Sequence, residues 1–71
     1  MLLITLHEGD YYASLYQYKL GYQYKIFAKI NGKRTCVARS YAYIFDKDEC
    51  YKMMMNDLNV SMGVAKDLFN C

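Results

Sequence analysis

The stretch "YQYKIFAKINGKRTCVARSYAY", residues 22–43, contains the clearest structural signal of the chain. At its centre, Asn31-Gly32 separates two runs in which apolar and polar residues alternate. A type I′ turn requires positive φ at both central positions, and Asn and Gly adopt positive φ at little cost. Because a two-residue loop also fixes the register of its strands, the sequence predicts a β-hairpin with a defined pairing.

The two faces of this hairpin differ in character. The mainly apolar face is expected to cover the core and pairs Ile30 with Lys33, Ala28 with Thr35, Ile26 with Val37, Tyr24 with Arg39 and Tyr22 with Tyr41. The other face pairs Lys29 with Arg34, Phe27 with Cys36 and Lys25 with Ala38. Like charges directly opposite each other destabilise a strand pair. The second face therefore needs an explanation beyond packing.

Two further segments precede the hairpin. "LLITLH" is short and partly β-branched, which predicts a strand from Leu2 to His7 that ends in a turn at Gly9. From Tyr11 to Leu20, alternation and aromatic enrichment favour a strand. A helix is the alternative there, because Asp10 is a suitable N-cap and the apolar residues also fall at helical spacing.

A helix is predicted after the hairpin, from Asp46 to Leu58. Asp46 is a good N-cap, and Glu49 three residues later completes a capping box. The apolar stripe of this helix is expected to be Cys50, Met53, Met54 and Leu58. The remaining residues form either a second short helix that begins near Ser61 or a frayed tail, with Val64, Leu68 and Phe69 available for docking.

These elements predict an α+β fold in a single domain, residues 1–71. It consists of a small antiparallel sheet of three to four strands, one main helix on one face and a short C-terminal helix. With 71 residues, of which 55% are hydrophobic and 23% charged, the chain has the composition of one folded domain. One face of such a sheet can stay open to solvent or to a partner.

The location predicted for the protein is cytoplasmic. The opening segment lacks the basic region of a secretory signal, and no segment is long and apolar enough for a membrane span. The three cysteines include no CxxC pair, which indicates reduced thiols. Cys36 and Cys50 are expected to be buried, and Cys71 exposed.

Catalytic and metal-binding chemistry is not indicated. His7 is the only histidine, and no catalytic motif surrounds it or the cysteines. The cysteines also lack the close pair spacing of zinc sites. We therefore predict a protein that is not an enzyme and that uses no cofactor and no metal.

Two features predict a binding surface. The first is the basic hairpin face with its ring: Lys25, Phe27, Lys29 and Arg34, with Lys33 at the turn. The second is the tyrosine-rich segment "YYASLYQYKLGYQY", where alternation places Tyr12, Tyr16 and Tyr18 on one side. Cations and exposed rings bind phosphate and bases in nucleic-acid modules, and Tyr is favoured at protein interfaces. The plainer alternative is a solvated face whose cations discourage edge pairing.

The charge distribution supports a binding role for the first half of the chain. Residues 1–40 carry six Lys/Arg against two acids, a net charge of +4, whereas residues 41–71 carry three lysines against five acids, a net charge of −2. The isoelectric point of about 8.4 is lower than that expected of dedicated nucleic-acid-binding domains. An acidic protein surface is therefore a candidate partner beside nucleic acid.

At the level of shape, the run from Tyr22 to Leu58 resembles double-stranded-RNA-binding domains, the arm-binding domains of phage-type integrases and YegP-like domains. All share a strand–turn–strand–strand–helix pattern. The basic helix start of the RNA binders is replaced here by "DKDE", and the alternation before the turn is one residue out of step with the YegP-like pattern. No functional residue is carried over, and no family is assigned.

The sequence thus predicts a small non-enzymatic binding module that binds a protein partner stoichiometrically. By analogy of composition, it resembles accessory proteins of phages and mobile elements that inhibit a host protein or compete for a protein–nucleic-acid complex. The alternative is direct nucleic-acid binding by the basic hairpin face, with Phe27 stacking on a base. A homodimer closed by the tyrosines is a third hypothesis, and no membrane partner is expected.

Overall fold

A computed structural model describes the backbone of residues 1–69 and the side chains of residues 1–63. Four antiparallel strands follow one another in chain order across one sheet, and a helix packs on one face of it. The elements are β1 (Leu2–Glu8), β2 (Tyr11–Tyr18), β3 (Gly21–Ile30), β4 (Lys33–Arg39) and α1 (Lys47–Phe69). The predicted α+β class, with an antiparallel sheet and one main helix, is confirmed.

The central turn has the predicted conformation. Asn31 has φ 51° and Gly32 has φ 78°, the two positive angles that a type I′ turn requires. The turn between β1 and β2 is also short and places Gly9 at φ 61°. Because a type I′ turn matches the right-handed twist of strands, β3 and β4 close directly into a hairpin.

The ambiguous segment after Asp10 is a strand, β2, as alternation favoured. Ala13 and Leu15 are fully buried against the helix, whereas Tyr12 and Tyr16 point to the opposite face. This period of two belongs to a strand that is buried on one side. The helical alternative would have spread these tyrosines around an axis and left the centre of the sheet unfilled.

The register of β3 and β4 departs from the prediction beyond the first residues. Pairing follows it from the turn as far as Phe27 opposite Cys36, and then a β-bulge adds Val37 to β4. Ile26 consequently lies opposite Ala38 and Lys25 opposite Arg39. The predicted pairs Ile26–Val37, Lys25–Ala38, Tyr24–Arg39 and Tyr22–Tyr41 are therefore wrong. The bulge turns Arg39 away from the core, where an unbulged strand would have buried its charge.

The segment after β4 returns along β3 and completes the sheet. The Tyr22 N–H donates to the Ile44 carbonyl at 2.7 Å, and the Ile44 N–H donates back at 2.9 Å. Nearer to the end of β4, the Tyr24 N–H donates to the Ser40 Oγ at 3.0 Å. This return brings the chain against Gly21, where a Cβ atom would lie 2.9 Å from the Ile44 carbonyl oxygen.

Helix α1 begins with the predicted cap. The Asp48 N–H donates to the Asp46 Oδ1 at 2.9 Å, and the Cys50 N–H donates to the Asp46 carbonyl at 3.0 Å. The acids Asp48 and Glu49 occupy the first turn, where the helix dipole favours negative charge. The reciprocal capping-box bond from Glu49 to Asp46 is absent among the described side chains.

The core lies between α1 and the helix-facing side of the sheet. Its fully buried members are Ala13, Leu15, Tyr24, Ile26, Cys50, Met54 and Leu58. Met53 was predicted in the helix stripe, but it is 42% exposed. Successive helical residues lie about 100° apart, so the direction that buries Met54 turns Met53 towards solvent. Met55 and Met62 are partly buried on the other flank.

The predicted short C-terminal helix is not confirmed, because α1 continues without a break through Gly63 to Phe69. The docking predicted for Val64, Leu68 and Phe69 lies outside the described side chains, and Cys71 lies outside the described residues. Along its described length, α1 lacks the continuous apolar stretch that a membrane-spanning helix needs.

A hydrogen bond between Tyr24 and Asp57 joins the sheet to the helix through the core. The Tyr24 hydroxyl donates to the Asp57 Oδ2, and only 3% of Tyr24 is exposed. Burial, and then this bond and the charge of Asp57, raise the pKa of Tyr24 well above its ordinary value of 10.0. Burial likewise raises the pKa of the Cys50 thiol beside it. The folded state therefore holds both groups in their neutral forms.

We expect Tyr24→Phe to lower the free energy of unfolding by about 1–2 kcal/mol at pH 8, because Asp57 loses its donor. The pH dependence should also change. An unfolded tyrosine loses its proton near pH 10 and folded Tyr24 keeps it, so this residue costs the wild type about 1.4 kcal/mol for each pH unit above 10. Urea titrations at pH 8 and pH 11 measure both effects.

The matched control for this prediction is Tyr41→Phe, which removes a hydroxyl from a side chain that is 85% exposed. This variant should follow the wild type at both pH values. If wild type and Tyr24→Phe lost equal stability between pH 8 and pH 11, the buried neutral phenol would not be the source of the alkaline sensitivity.

Candidate binding face

The sheet has one face without a covering layer among the described residues, and we call it the outer face. Strand register places on it Leu2, Thr5, His7, Tyr12, Ser14, Tyr16, Tyr18, Gln23, Lys25, Phe27, Lys29, Arg34, Cys36 and Arg39. All the predicted binding residues lie here except Lys33. Lys33 lies opposite Ile30, which belongs to the helix-facing side at the end of the hairpin.

A stack of rings runs across three strands of the outer face, near the end that carries the β1–β2 and β3–β4 turns. The His7 and Tyr12 rings lie 5.4 Å apart between centroids, and the Tyr12 and Phe27 rings lie 4.9 Å apart at an interplanar angle of 20°. Cross-strand register creates this stack, since His7 is opposite Tyr12 and Tyr12 is opposite Phe27. From the sequence, His7 was predicted only as the end of a strand, and its place in the stack depends on the cross-strand register.

Arg34 lies against this stack. Its Cζ is 4.9 Å from the centroid of the Phe27 ring and 5.8 Å from that of Tyr12. Cation–π contacts of this kind contribute about 0.5–1 kcal/mol at exposed sites. The predicted repulsion between Lys29 and Arg34, which lie directly opposite each other, is thus eased because the guanidinium turns to the rings.

The Tyr12 hydroxyl is the one polar side-chain atom without solvent contact or a hydrogen-bond partner among the described residues. An unpaired buried hydroxyl costs about 1–3 kcal/mol. Such a group has unused capacity to donate or accept a bond.

A second group of rings and cations lies towards the other end of the outer face. The Lys25 Nζ is 5.5 Å from the centroid of the Tyr16 ring, and the Arg39 Cζ is 5.2 Å from that of Tyr41. Tyr18 continues the group, with its centroid 6.1 Å from that of Tyr16. The Tyr43 ring then meets Tyr18 edge-on at 6.0 Å.

Arg39, Tyr41 and Tyr43 are members of this surface that sequence reasoning did not assign to it. The predicted unbulged register placed Arg39 on the core side, so it could not be counted here. The Tyr-Ala-Tyr sequence after β4 was a visible signal, but the return of that segment to β3 depends on the Tyr22–Ile44 pairing. Tyr41 and Phe45 are among the most exposed rings, at 85% and 86%.

The charge on the outer face has one sign. Lys25, Lys29, Arg34 and Arg39 lie on it, and no Asp or Glu of the described strands does. Glu8 is opposite Tyr11, on the helix-facing side. The acids Asp46, Asp48 and Glu49 lie at the start of α1. The sheet thus separates a cationic surface from an acidic one.

Cys36 was predicted to be buried, but it is exposed on the outer face. It lies opposite Phe27 on the edge strand β4, where no second layer covers it. Its thiol donates to the Ala38 carbonyl at 3.5 Å. A shallow open depression of about 230 Å³ follows this edge and is lined by Cys36, Val37, Ala38, Arg39 and Tyr41. Cys50 is buried as predicted.

The geometry separates the groups that nucleophilic or metal chemistry would have to bring together. His7 and Cys36 lie on opposite edge strands with β2 and β3 between them, roughly 14 Å apart at ~4.8 Å per strand. Cys50 lies beneath the sheet, on its other side. Among the described residues, His, Cys, Asp and Glu do not form any group of three or more suited to hold a metal ion.

Comparisons with known protein families, with curated proteins and with solved structures find no match to this chain.

Proposed function

We propose that this protein is a non-enzymatic binding module that attaches stoichiometrically, through its outer face, to an acidic surface of a protein partner. The observation that carries the proposal is the ordered array of rings and cations, without a carboxylate, on an open sheet face. Aromatic residues and arginine are enriched at protein interfaces and supply most binding hot spots. If the partner uses that acidic surface to bind another ligand, this protein competes with the ligand and inhibits the partner, as predicted.

The packing of the array favours a protein surface as ligand. Tyr12 and Phe27 stack on each other and Arg34 lies against both, so these side chains are already ordered before binding. Preordered side chains lose less conformational entropy on association.

The same packing argues against the predicted role of Phe27 as a stacking platform. A base that stacked on Phe27 would have to displace the Arg34 guanidinium, which lies 4.9 Å from the ring centroid. Direct nucleic-acid binding is better supported at Tyr41. Its ring is 85% exposed and lies beside Arg39, a combination that suits stacking with a nearby phosphate contact. Nucleic-acid binding at Tyr41 and Arg39 is therefore the second candidate function.

The first experiment is a pull-down of the tagged chain from lysate, with and without nuclease, followed by identification of bound protein and nucleic acid. The proposal expects an acidic protein that is retained after nuclease treatment. The affinity for that protein is then measured for a variant with Lys25→Glu, Lys29→Glu and Arg34→Glu. We expect a loss of roughly 100-fold or more, because complementary charges become repulsive.

The matched control carries Lys33→Glu, Lys47→Glu and Lys52→Glu, which change the net charge equally but lie off the outer face. Its affinity should stay within about threefold of the wild type. Equal losses in both variants would reduce the effect to net charge and overturn the proposed face. Capture that nuclease abolishes, with steep salt dependence and loss in Tyr41→Ala, would establish the nucleic-acid function instead.

A further inference from the structure

We propose that two copies of this chain associate through the free edge of β1, so that β1 pairs antiparallel with β1 of a second copy. The proposal does not depend on the function of the outer face. It rests on the direction of the backbone groups of β1, on the contrast between the two edges of the sheet and on the apolar side chains that α1 leaves partly uncovered.

The backbone of β1 presents unpaired groups along its free edge. Glu8 and Tyr11 close a two-residue hairpin, and a closing pair exchanges both of its hydrogen bonds. Alternate residues, Leu6 and Ile4, therefore bond to β2, while the N–H and C=O groups of Thr5 and His7 point outward. The pairing of this strand with β2 extends to the first residue, because Met1 and Gln17 exchange two backbone hydrogen bonds of 2.8 Å.

The two edges of the sheet differ in charge. From Leu2 to Leu6, β1 carries no charged side chain. The other edge, β4, carries Lys33, Arg34 and Arg39. Each edge strand has one irregularity in its register, between Leu2 and Ile4 in β1 and at Val37 in β4, so the edges differ in charge. Cations on an edge strand protect it from pairing. A second copy meets no like charge along Leu2 to Leu6 of β1, whereas two β4 edges would bring arginines together.

The helix covers the sheet unevenly. Within the described part of the chain, the backbone of α1 lies close to β2, β3 and β4 rather than to β1. Ile4 and Leu6 lie opposite the buried Leu15 and Ala13, so they point to the helix-facing side at the uncovered edge, and they are only partly buried. A second β1 at this edge would extend the sheet and bury these side chains against their equivalents.

A two-fold axis through Thr5 satisfies all three features. It places Thr5 opposite Thr5 of the second copy as a hydrogen-bonded pair, and Ile4 opposite Leu6 of that copy on the helix-facing side. Because the axis is perpendicular to the sheet, both outer faces lie on the same side of a continuous sheet of eight strands. The contact is isologous and closes on itself, so it forms a dimer rather than a fibre.

Sedimentation velocity of the wild type tests the association over about 1 μM to 1 mM protein. One strand pair buries less than a standard interface, so we expect a dissociation constant on the order of micromolar. Thr5→Asp and Thr5→Lys each place like charges opposite one another at the axis, and each should be monomeric. A mixture of the two variants should restore the dimer, because the charges become complementary.

A dimer in the mixture would show that each variant alone had lost strand pairing and not its fold, because one misfolded variant would not rescue another. The matched control is Thr35→Asp on β4, which should dimerise as the wild type does. A wild type that stays monomeric at about 1 mM would overturn the proposal. So would dimers that persist in both Thr5 variants, because the contact would then lie elsewhere, for example on the tyrosines of the outer face.

Discussion

Truncation of Ile26 to alanine is expected to lower the free energy of unfolding by about 2–5 kcal/mol, the range measured for large-to-small substitutions in cores. Ile26 has no exposed surface and lies at the centre of β3, between the neighbouring strands and α1. At roughly 0.05–0.15 kcal/mol per residue, a chain of 71 residues is stabilised by about 4–10 kcal/mol. This single change therefore removes a large part of the total stability.

Ile30→Ala is the matched control for this prediction. Ile30 lies on the same strand and the same side of the sheet, four residues further along, but it is 48% exposed. Its truncation should cost less than about 1 kcal/mol, because most of its surface is not removed from water. Urea denaturation followed by circular dichroism measures both values. Equal losses for Ile26 and Ile30 would contradict the position assigned to the core.

Gly21→Val is expected to destabilise the fold by about 3 kcal/mol, for two reasons that add. Gly21 has a φ of 145°, a backbone angle that residues other than glycine rarely adopt. An added Cβ would also lie 2.9 Å from the Ile44 carbonyl oxygen and 3.3 Å from the Tyr43 Cβ. The chain after β4 would have to move away, so amide exchange at Tyr22 and Ile44 should accelerate with the loss of stability.

Gly9→Ala separates the two causes. Gly9 also has positive φ, at 61°, but a Cβ atom there would meet nothing within 4 Å. This variant should carry only the backbone strain, about 1–2 kcal/mol, and should leave exchange at Tyr22 and Ile44 in the native state unchanged. If Gly21→Val cost no more than Gly9→Ala, the close approach of the Ile44 carbonyl would contribute nothing to the fold.

Local signals in the sequence predicted most of the fold correctly. Asn31-Gly32 specifies its turn because the required φ angles are intrinsic to those residues. Asp46 specifies the start of α1, since its side chain bonds two residues ahead. The alternation along β2 and β3 divides buried from exposed positions, and it predicted which tyrosines share the outer face.

Errors arose where several elements decide a side chain's position together. Met53 and Met54 are equally apolar neighbours, and only the direction in which α1 docks buries one and exposes the other. Cys36 is exposed because β4 is an edge strand with an open outer face, a property of the whole sheet. The outer-face positions in β2 and β3 were consequently predicted, whereas Arg39, Tyr41 and Tyr43 were missed.

Local residue patterns specify the hairpin turn, the strand pattern, the helix start and the cationic, tyrosine-rich character of one sheet face, because each depends on residues within a few positions of one another. Tertiary packing accounts for the bulge at Val37, the return of Ile44 to Tyr22 and the outward position of Arg39. These features depend on residues that meet from distant parts of the chain. Their free energy comes from burying apolar groups while keeping a cation in water, and that balance exists only once the sheet and helix are packed together.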